Sequence, residues 1–266
     1  PIAGTCLHKI LERIDFNDIE NQQKISSIIE EELRKVNIND SFIKPIYVLL
    51  NRISNIPLGG PLDKFKLKNL DYKSSIKELK FDIPICQNNN PINTLELSSI
   101  FRKTSKYNYG IDYANRLLNL NINSSGFLTG SIDHVFADNP NHKSAKWWVL
   151  DWKSNWIGST LSTEEGFTCG PSNYSISRMD EEMCHHHYPL QAHIYLLALH
   201  RFLNWRLPNY SAQKHLGGYI YVFLRGLPDN NDLEEQNHTS TPGLVVEPAP
   251  LERIQDLDFL IKRHSK

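Results

Sequence analysis

GFLTGSIDHVFADNPNHKSAKWWVLDWKSNWIG, running from Gly126 to Gly158, decides how the rest of this chain is read. It holds two apolar, β-rich runs, FLTGSIDHVFA and WWVLDWKSNW, joined by the turn formers Asp138, Asn139, Pro140 and Asn141. That pattern predicts two strands able to pair as a hairpin. Each run carries an acid in apolar surroundings, Asp133 in the first and Asp151 in the second, and Lys153 follows Asp151 two places on. Side chains alternate along a strand, so Asp151 and Lys153 share a face with their Cα atoms about 6–7 Å apart. If the runs pair, Asp133 joins them there.

Two carboxylates and an ammonium on one half-buried face need a physical reason. A charge taken out of water must be paired or must hold a metal. Two neighbouring acids repel each other unless a cation lies between them. Hard oxygen donors suit Mg²⁺, which takes only one or two protein carboxylates, and Ca²⁺ or Mn²⁺ suit the same oxygens. Such a site polarises a phosphoryl oxygen, and a nearby lysine orients a water or offsets charge growing on the phosphate. The competing reading is a structural Asp–Lys pair on an exposed strand face. D-x-K alone does not decide between them.

The chain has 266 residues, 40% of them hydrophobic and 22% charged, which suits a globular protein with a sizeable core. Its net charge of −1 gives no global basic signature, so any nucleic-acid binding must come from a local patch. No apolar stretch reaches the length of a membrane span and no secretory signal is present. Cys6, Cys86, Cys169 and Cys184 are widely spread without a C-x-x-C. They read as free thiols in a reducing, cytoplasmic compartment, and a disulfide, zinc or iron–sulfur site is not expected. The chain opens on Pro1, directly in a helical pattern, and reads as a piece of a longer polypeptide. It contains no G-x-x-x-x-G-K-[ST] phosphate loop, so ATP hydrolysis is not expected of this piece.

In chain order, AGTCLHKILERIDF spaces Leu7, Ile10, Leu11 and Ile14 as a helix, with Thr5 as the expected N-cap and His8 beside the apolar stripe. By itself His8 is better read as a core-edge residue than as a ligand. Residues 22–36 and 41–53 give two more helices. PLGGP is a loop, and IKELKFDIPI (76–85) is a strand placing Glu78, Lys80 and Asp82 on one face, locally best read as the polar side of an edge strand. A loop at QNNNPIN precedes short helices over 95–102 and 108–120. The polar stretch 158–177 reads as mobile. RMDEEMCHHHYPLQAHIYLLALHRFLNW reads as helix broken near Pro189, since proline is tolerated in a first turn. Beyond the break Gln191 and Tyr195, four apart, share a face, and Leu196, Leu199 and Leu203 form an apolar stripe. His185, His186 and His187 point in different directions on a helix, which disfavours a three-histidine metal site and suggests a surface or phosphate-facing patch. HLGGYIYVFLRG (215–226) is a strand, 229–243 reads as disordered, and LERIQDLDFLIKR is a closing amphipathic helix.

The order helix with His, strand with Glu, strand with Asp, strand with D-x-K and helix with Q-x-x-x-Y resembles the PD-(D/E)xK nuclease superfamily. Within it the wording is most similar to the C-terminal nuclease domains of RecB-type helicase–nucleases. The similar pieces are GTCLHKILE (4–12), ELKFDIP (78–84), GFLTGSIDHVF (126–136), VLDWKSNWIG (149–158), HHYPLQAHIYLLALHRFL (186–203) and GGYIYVFLRG (217–226), spread in order over nearly the whole chain. The resemblance implies an α/β, restriction-endonuclease-like fold with a central mixed sheet flanked by helices. It implies a single domain, 1–266, with a helical part over 1–75, a catalytic core over 76–226, and a polar loop and closing helix over 227–266. It implies Mg²⁺ held by His8, Asp133, Asp151 and the backbone carbonyl of Trp152, where the family often has Tyr. Glu78, Asp133, Asp151, Lys153, Gln191 and Tyr195 are the implied catalytic residues. The implied activity is Mg²⁺-dependent hydrolysis of single-stranded DNA without sequence preference, with Trp156, Tyr188 and Tyr195 as candidates for base stacking. The implied setting is double-strand-break repair and recombination, with RecC- and RecD-like subunits and RecA as partners. A stand-alone exonuclease of the same fold and a catalytically silent docking module are the alternatives. The cysteines do not match the iron–sulfur arrangement of AddB-type relatives.

Overall fold

In the computed structural model the described residues are 2–86, 91–120, 123–124, 126–139, 145–158, 168–228 and 241–265. The expectations of a loop at 87–90, of a turn through Pro140 and Asn141, of mobility over 159–167 and of disorder over 229–240 fall outside them. Chain order is α1 Ile2–Arg13, α2 Gln22–Lys35, α3 Ile43–Asn55, β1 Ser75–Cys86, the short β2 Ile92–Asn93, α4 Thr94–Lys103, α5 Ile111–Leu117, and the short β3 Asn123–Ser124. It continues with β4 Gly126–Ala137, β5 Trp147–Lys153, α6 Ile176–His185, α7 Tyr188–Arg206, α8 Ala212–His215, β6 Leu216–Phe223, β7 Leu244–Pro248 and α9 Leu251–His264.

The two runs of the central stretch pair antiparallel, His134 opposite Leu150 through Ala137 opposite Trp147, as the alternation predicts. They sit inside a five-stranded sheet of order β1-β4-β5-β6-β7. β5 and β6 run parallel, and the other neighbours antiparallel. A parallel pair needs a crossover, and here α6, α7 and α8 supply it. All eight residues of β6 are buried, and so are the five inner residues of β5, as expected for strands covered on both faces.

Alternation along β5 divides its side chains between two cores. Trp148, Leu150 and Trp152 pack with Ile220, Val222 and the apolar stripes of α1, α2 and α3. Val149 packs with Tyr219, Tyr221 and Phe223 against Leu196, Leu199 and Leu203 of α7 and Ile254, Leu257 and Ile261 of α9. Each such buried aliphatic or aromatic side chain contributes about 1.5–3 kcal/mol. The N-terminal helices therefore cover one face of the sheet, and α7 with α9 covers the other. Asp151 and Lys153 share the alternation of Val149 and so belong to the α7 face.

Local signals explain some helix ends. Asn21 caps α2 by accepting from Lys24 N at 3.1 Å, and Asn93 with Glu96 forms a capping box at the start of α4. The expected break between α6 and α7 is present: His187 takes a left-handed φ of +55° and Pro189 lies in the first turn of α7. Thr5 is not the cap of α1, because the helix starts at Ile2 and encloses it. β7 was not foreseen from the sequence. It extends the sheet beyond β6 and covers its outer edge.

Candidate active site

The ladder between β4 and β5 ends at the His134–Leu150 pair, and the two strands then part. The next donor along β5, Trp152 N, is taken by Asp133 Oδ2 at 2.9 Å. This bond fixes the Asp133 carboxylate at the fork, beside the Asp151 side chain. On the other side of Asp133, His8 of α1 brings its Nδ1 to 3.5 Å from the same oxygen. α1 is held in that position by Lys77 of β1, whose ammonium donates to the carbonyls of Leu11 and Ile14 where the helix ends. Burial of that ammonium pushes its pKa down to about 8.

Glu78 reaches the site through an unusual backbone. Ile76 and Leu79 both pack against the α7-side core, so the in–out alternation of β1 slips by one between them. Glu78 lies at the slip with φ +51°, a left-handed conformation rare for a strand residue. The strand face expected to carry Glu78, Lys80 and Asp82 together is thus broken at Glu78. Its carboxylate accepts from Ser131 Oγ at 2.8 Å, and its negative charge is felt by both His8 and Asp133.

Lys153 is the hub of the α7 side. Its Nζ lies 2.6 Å from Asp151 Oδ2 and donates to Gln191 Oε1 at 3.0 Å. It stands 3.9 Å from the centre of the Tyr188 ring and 5.1 Å from that of Tyr221. The Gln191 amide is held at both ends: Tyr221 OH donates to Oε1 at 2.9 Å, and Nε2 donates to Tyr195 OH at 3.0 Å. Gln191 and Tyr195 therefore do share a face of α7, and that face looks onto the carboxylates. Tyr195 is buried, its ring edge-on to Phe81 at 6.0 Å. It is a wall of the site, while Trp156, three residues beyond Lys153, is 46% exposed with the Arg225 guanidinium 5.5 Å from its ring.

The two carboxylates repel each other in a largely water-excluded setting. Burial, and then repulsion from Asp151, pushes Asp133 up to about 7, against the lowering effect of the Trp152 N–H. Burial also raises Asp151, opposed by Lys153, His8 and Tyr195. The Asp151 Oδ2 atom is fully enclosed, with the Lys153 ammonium 2.6 Å away as its counter-charge and without an aligned hydrogen bond. Burial holds His8 below its ordinary value, which keeps the imidazole neutral, the form that ligates metals. A divalent cation among these groups would relieve the repulsion and lower both carboxyl pKa values.

Asp133, Asp151, Lys153, Glu78, Gln191, Tyr195, His8 and the Trp152 backbone are thus brought together from α1, β1, β4, β5 and α7. The Trp152 side chain points the other way, into the core beside Phe16 at 5.8 Å. Tyr188, expected as a base-stacking candidate, lies over the lysine, while two neighbours went unnoticed in the sequence: Ser131 on Glu78 and Tyr221 beside the lysine. Only the register of the parallel pair, which sets Asp151 opposite Tyr221, reveals the second of these.

No protein-family model matches the chain. It is 33% identical over 239 residues to the RecBCD enzyme subunit RecB of Buchnera aphidicola subsp. Baizongia pistaciae, covering 89% of this chain and 17% of that subunit. The chain belongs with RecB. It is 29% identical over 256 residues to RecB of Haemophilus influenzae, covering 96% of this chain and 18% of the relative. With RecB of Escherichia coli it shares 27% identity over 245 residues, covering 91% and 18% respectively. The chain spans less than a fifth of the length of these curated relatives, an extent that fits one C-terminal domain of a RecB subunit. Among the described residues no helix is long and apolar enough to cross a membrane.

Proposed function

We propose that this chain is the nuclease domain of a RecB-like helicase–nuclease, a PD-(D/E)xK fold that hydrolyses phosphodiester bonds of single-stranded DNA during double-strand-break repair and recombination in the cytoplasm. The observation that carries the proposal is the mutually repelling pair of half-buried Asp133 and buried Asp151 with Lys153 beside it, on a chain related to RecB along most of its length.

Asp133, Asp151, His8 and the Trp152 carbonyl would hold Mg²⁺, and the fit rests on the raised carboxyl pKa values and on the enclosed Asp151 Oδ2, which lacks an aligned hydrogen bond. The ion supplies charge stabilisation to the phosphoryl oxygens when bound. The chain's own residues do the rest. Lys153, fixed by Gln191 and walled by Tyr188 and Tyr221, sets a positive charge where a water adds to phosphorus and negative charge builds on the phosphate. One P–O bond forms from the water, another breaks, and the leaving oxygen departs with its electron pair and takes up a proton. Glu78 lies close enough for its charge to act on Asp133 and His8. Exposed Trp156, with Arg225 beside it, offers a stacking plane and a cation to a single strand, which suits binding without sequence preference. RecC- and RecD-like subunits and RecA are the partners this reading expects.

The test is cleavage of an end-labelled single strand in Mg²⁺ and in EDTA, with the domain alone and joined to the rest of its polypeptide and partner subunits. Cutting in Mg²⁺ that stops in EDTA is expected in at least the assembled form. Absence of metal-dependent cutting in both forms would contradict the proposal.

A further inference from the structure

At the end of α6, close to the wall of the site, lies a second group of metal-binding side chains that the nuclease reading does not use. Glu182 and His186 are four apart and share a face of the helix, with His186 Nε2 3.0 Å from Glu182 Oε1. The helix ends at His185, and His187 turns into the left-handed region, which closes the last turn and sets the His185 ring edge-on to that of His186 at 4.8 Å. As a result one donor atom from each of Glu182, His185 and His186 lies within 4.8 Å of the other two. Among the described residues this is the trio that meets that spacing; His8, Asp133 and Asp151 do not. His187 stays out of the group, its Nδ1 being 3.2 Å from Tyr113 OH.

We propose that Glu182, His185 and His186 bind a divalent transition metal of the Zn²⁺ class, at a site separate from the carboxylates of the active site. Three lines support it. An ion at the centre of a triangle no larger than this sits at most about 2.8 Å from each donor, against ~2.0–2.2 Å for Zn–N and Zn–O bonds, so small rotations of two exposed histidines close the gap. Two imidazoles and one carboxylate select Zn²⁺, Ni²⁺ or Cu²⁺ over Mg²⁺, which prefers oxygen alone. The carboxylate is also oriented by Asn155, whose Nδ2 donates to Glu182 Oε1 at 2.7 Å, the kind of outer partner that metal ligands use.

The position gives the site a consequence. His186 stacks on Tyr188 at 5.2 Å with the planes 18° apart, and Tyr188 covers Lys153. Asn155, which holds Glu182, also accepts from Tyr188 OH at 3.1 Å. An ion fixing Glu182 and His186 would therefore lie directly behind the tyrosine that covers the lysine. The metal site itself does not depend on the nuclease reading.

The experiment is Zn²⁺ titration against a chromophoric chelator, in excess Mg²⁺, for the parent, for His185→Gln/His186→Gln and for Asp133→Asn/Asp151→Asn. Visible Co²⁺ absorption serves as a direct reading of nitrogen ligation, and metal-free unfolding curves check that each variant is folded. The expected result is a single equivalent of Zn²⁺ in the parent and in the aspartate variant, weakened in the histidine variant by more than the ~10–100-fold that loss of an outer-shell partner costs. The Co²⁺ band should disappear with it. Equal Zn²⁺ affinity in the parent and the folded histidine variant, or binding lost only in the aspartate variant, would overturn the proposal.

Discussion

Lys153 is held by four groups at once: the Asp151 carboxylate, the Gln191 amide and the rings of Tyr188 and Tyr221. A flexible ammonium is thereby reduced to one position, and its charge works in a water-poor setting where electrostatic stabilisation is strongest. Lys153→Met keeps the stem and removes the charge. We expect cleavage to slow by about 10²–10³, the loss typical of one preorganised stabilising group, with metal affinity changed less than tenfold. Single-turnover rates beside calorimetric titration of Mg²⁺ separate the two. A variant that cuts at the parental rate would remove the lysine from the chemistry.

At the scale of elements, α9 is tied to α4 and α7 by one buried cation. Arg253 donates to Thr104 Oγ1 and O, to Asn108 O and to His193 Nε2 at 2.7–3.1 Å, and its guanidinium lies 4.4 Å from the Phe101 ring. Arg253→Met leaves those acceptors buried without donors, at about 1–3 kcal/mol each, so we expect at least about 3 kcal/mol of lost stability by urea unfolding. A loss below about 1 kcal/mol would mean that water replaces the guanidinium there. None of this network was legible in the sequence, because an arginine in an amphipathic helix reads as solvated. What was legible had a local cause. The strands around Asp133 and Asp151 are apolar runs interrupted by one acid each, and Gln191 with Tyr195 follows from helical spacing. β7 was hidden because Pro248 and Pro250 flank its end and read as breakers, though the end of an edge strand tolerates proline. The slip at Glu78 is a tertiary effect, and no residue near it signals a positive φ.

Across the whole molecule, two buried histidines couple the fold to pH. His134 has its Nε2 2.5 Å from Ser75 Oγ, in the core beneath α1, while His193 faces the Pro189 carbonyl and Arg253 in the core beneath α9. Burial, reinforced by the nearby cations Lys77 and Arg253, pushes each down to about 3. The unfolded chain binds these two protons below the ordinary histidine pKa of about 6.5, and the folded chain does not until about 3. Between those limits the unfolded state holds more protons, so stability rises with pH by about 1.4 kcal/mol per unit for each histidine and is flat in this respect above the window. Urea unfolding at about pH 5 and about pH 7 should show the slope reduced by one proton in His134→Gln. An unchanged slope would place the proton uptake elsewhere.

Across the molecule, α1 and α7 close on one fork in the sheet, and the proposed active site lies at that fork. The most direct measurement is metal-dependent cleavage of labelled single-stranded DNA by the assembled RecB-like polypeptide, beside its Asp151→Asn variant. We expect the parent to cut in Mg²⁺ and not in EDTA, and the variant, which keeps the shape of the side chain but loses its charge, to be slower by well over ~100-fold, since metal charge stabilisation is worth several kcal/mol. A folded Asp151→Asn variant that cuts as fast as the parent would contradict the assignment of the active site.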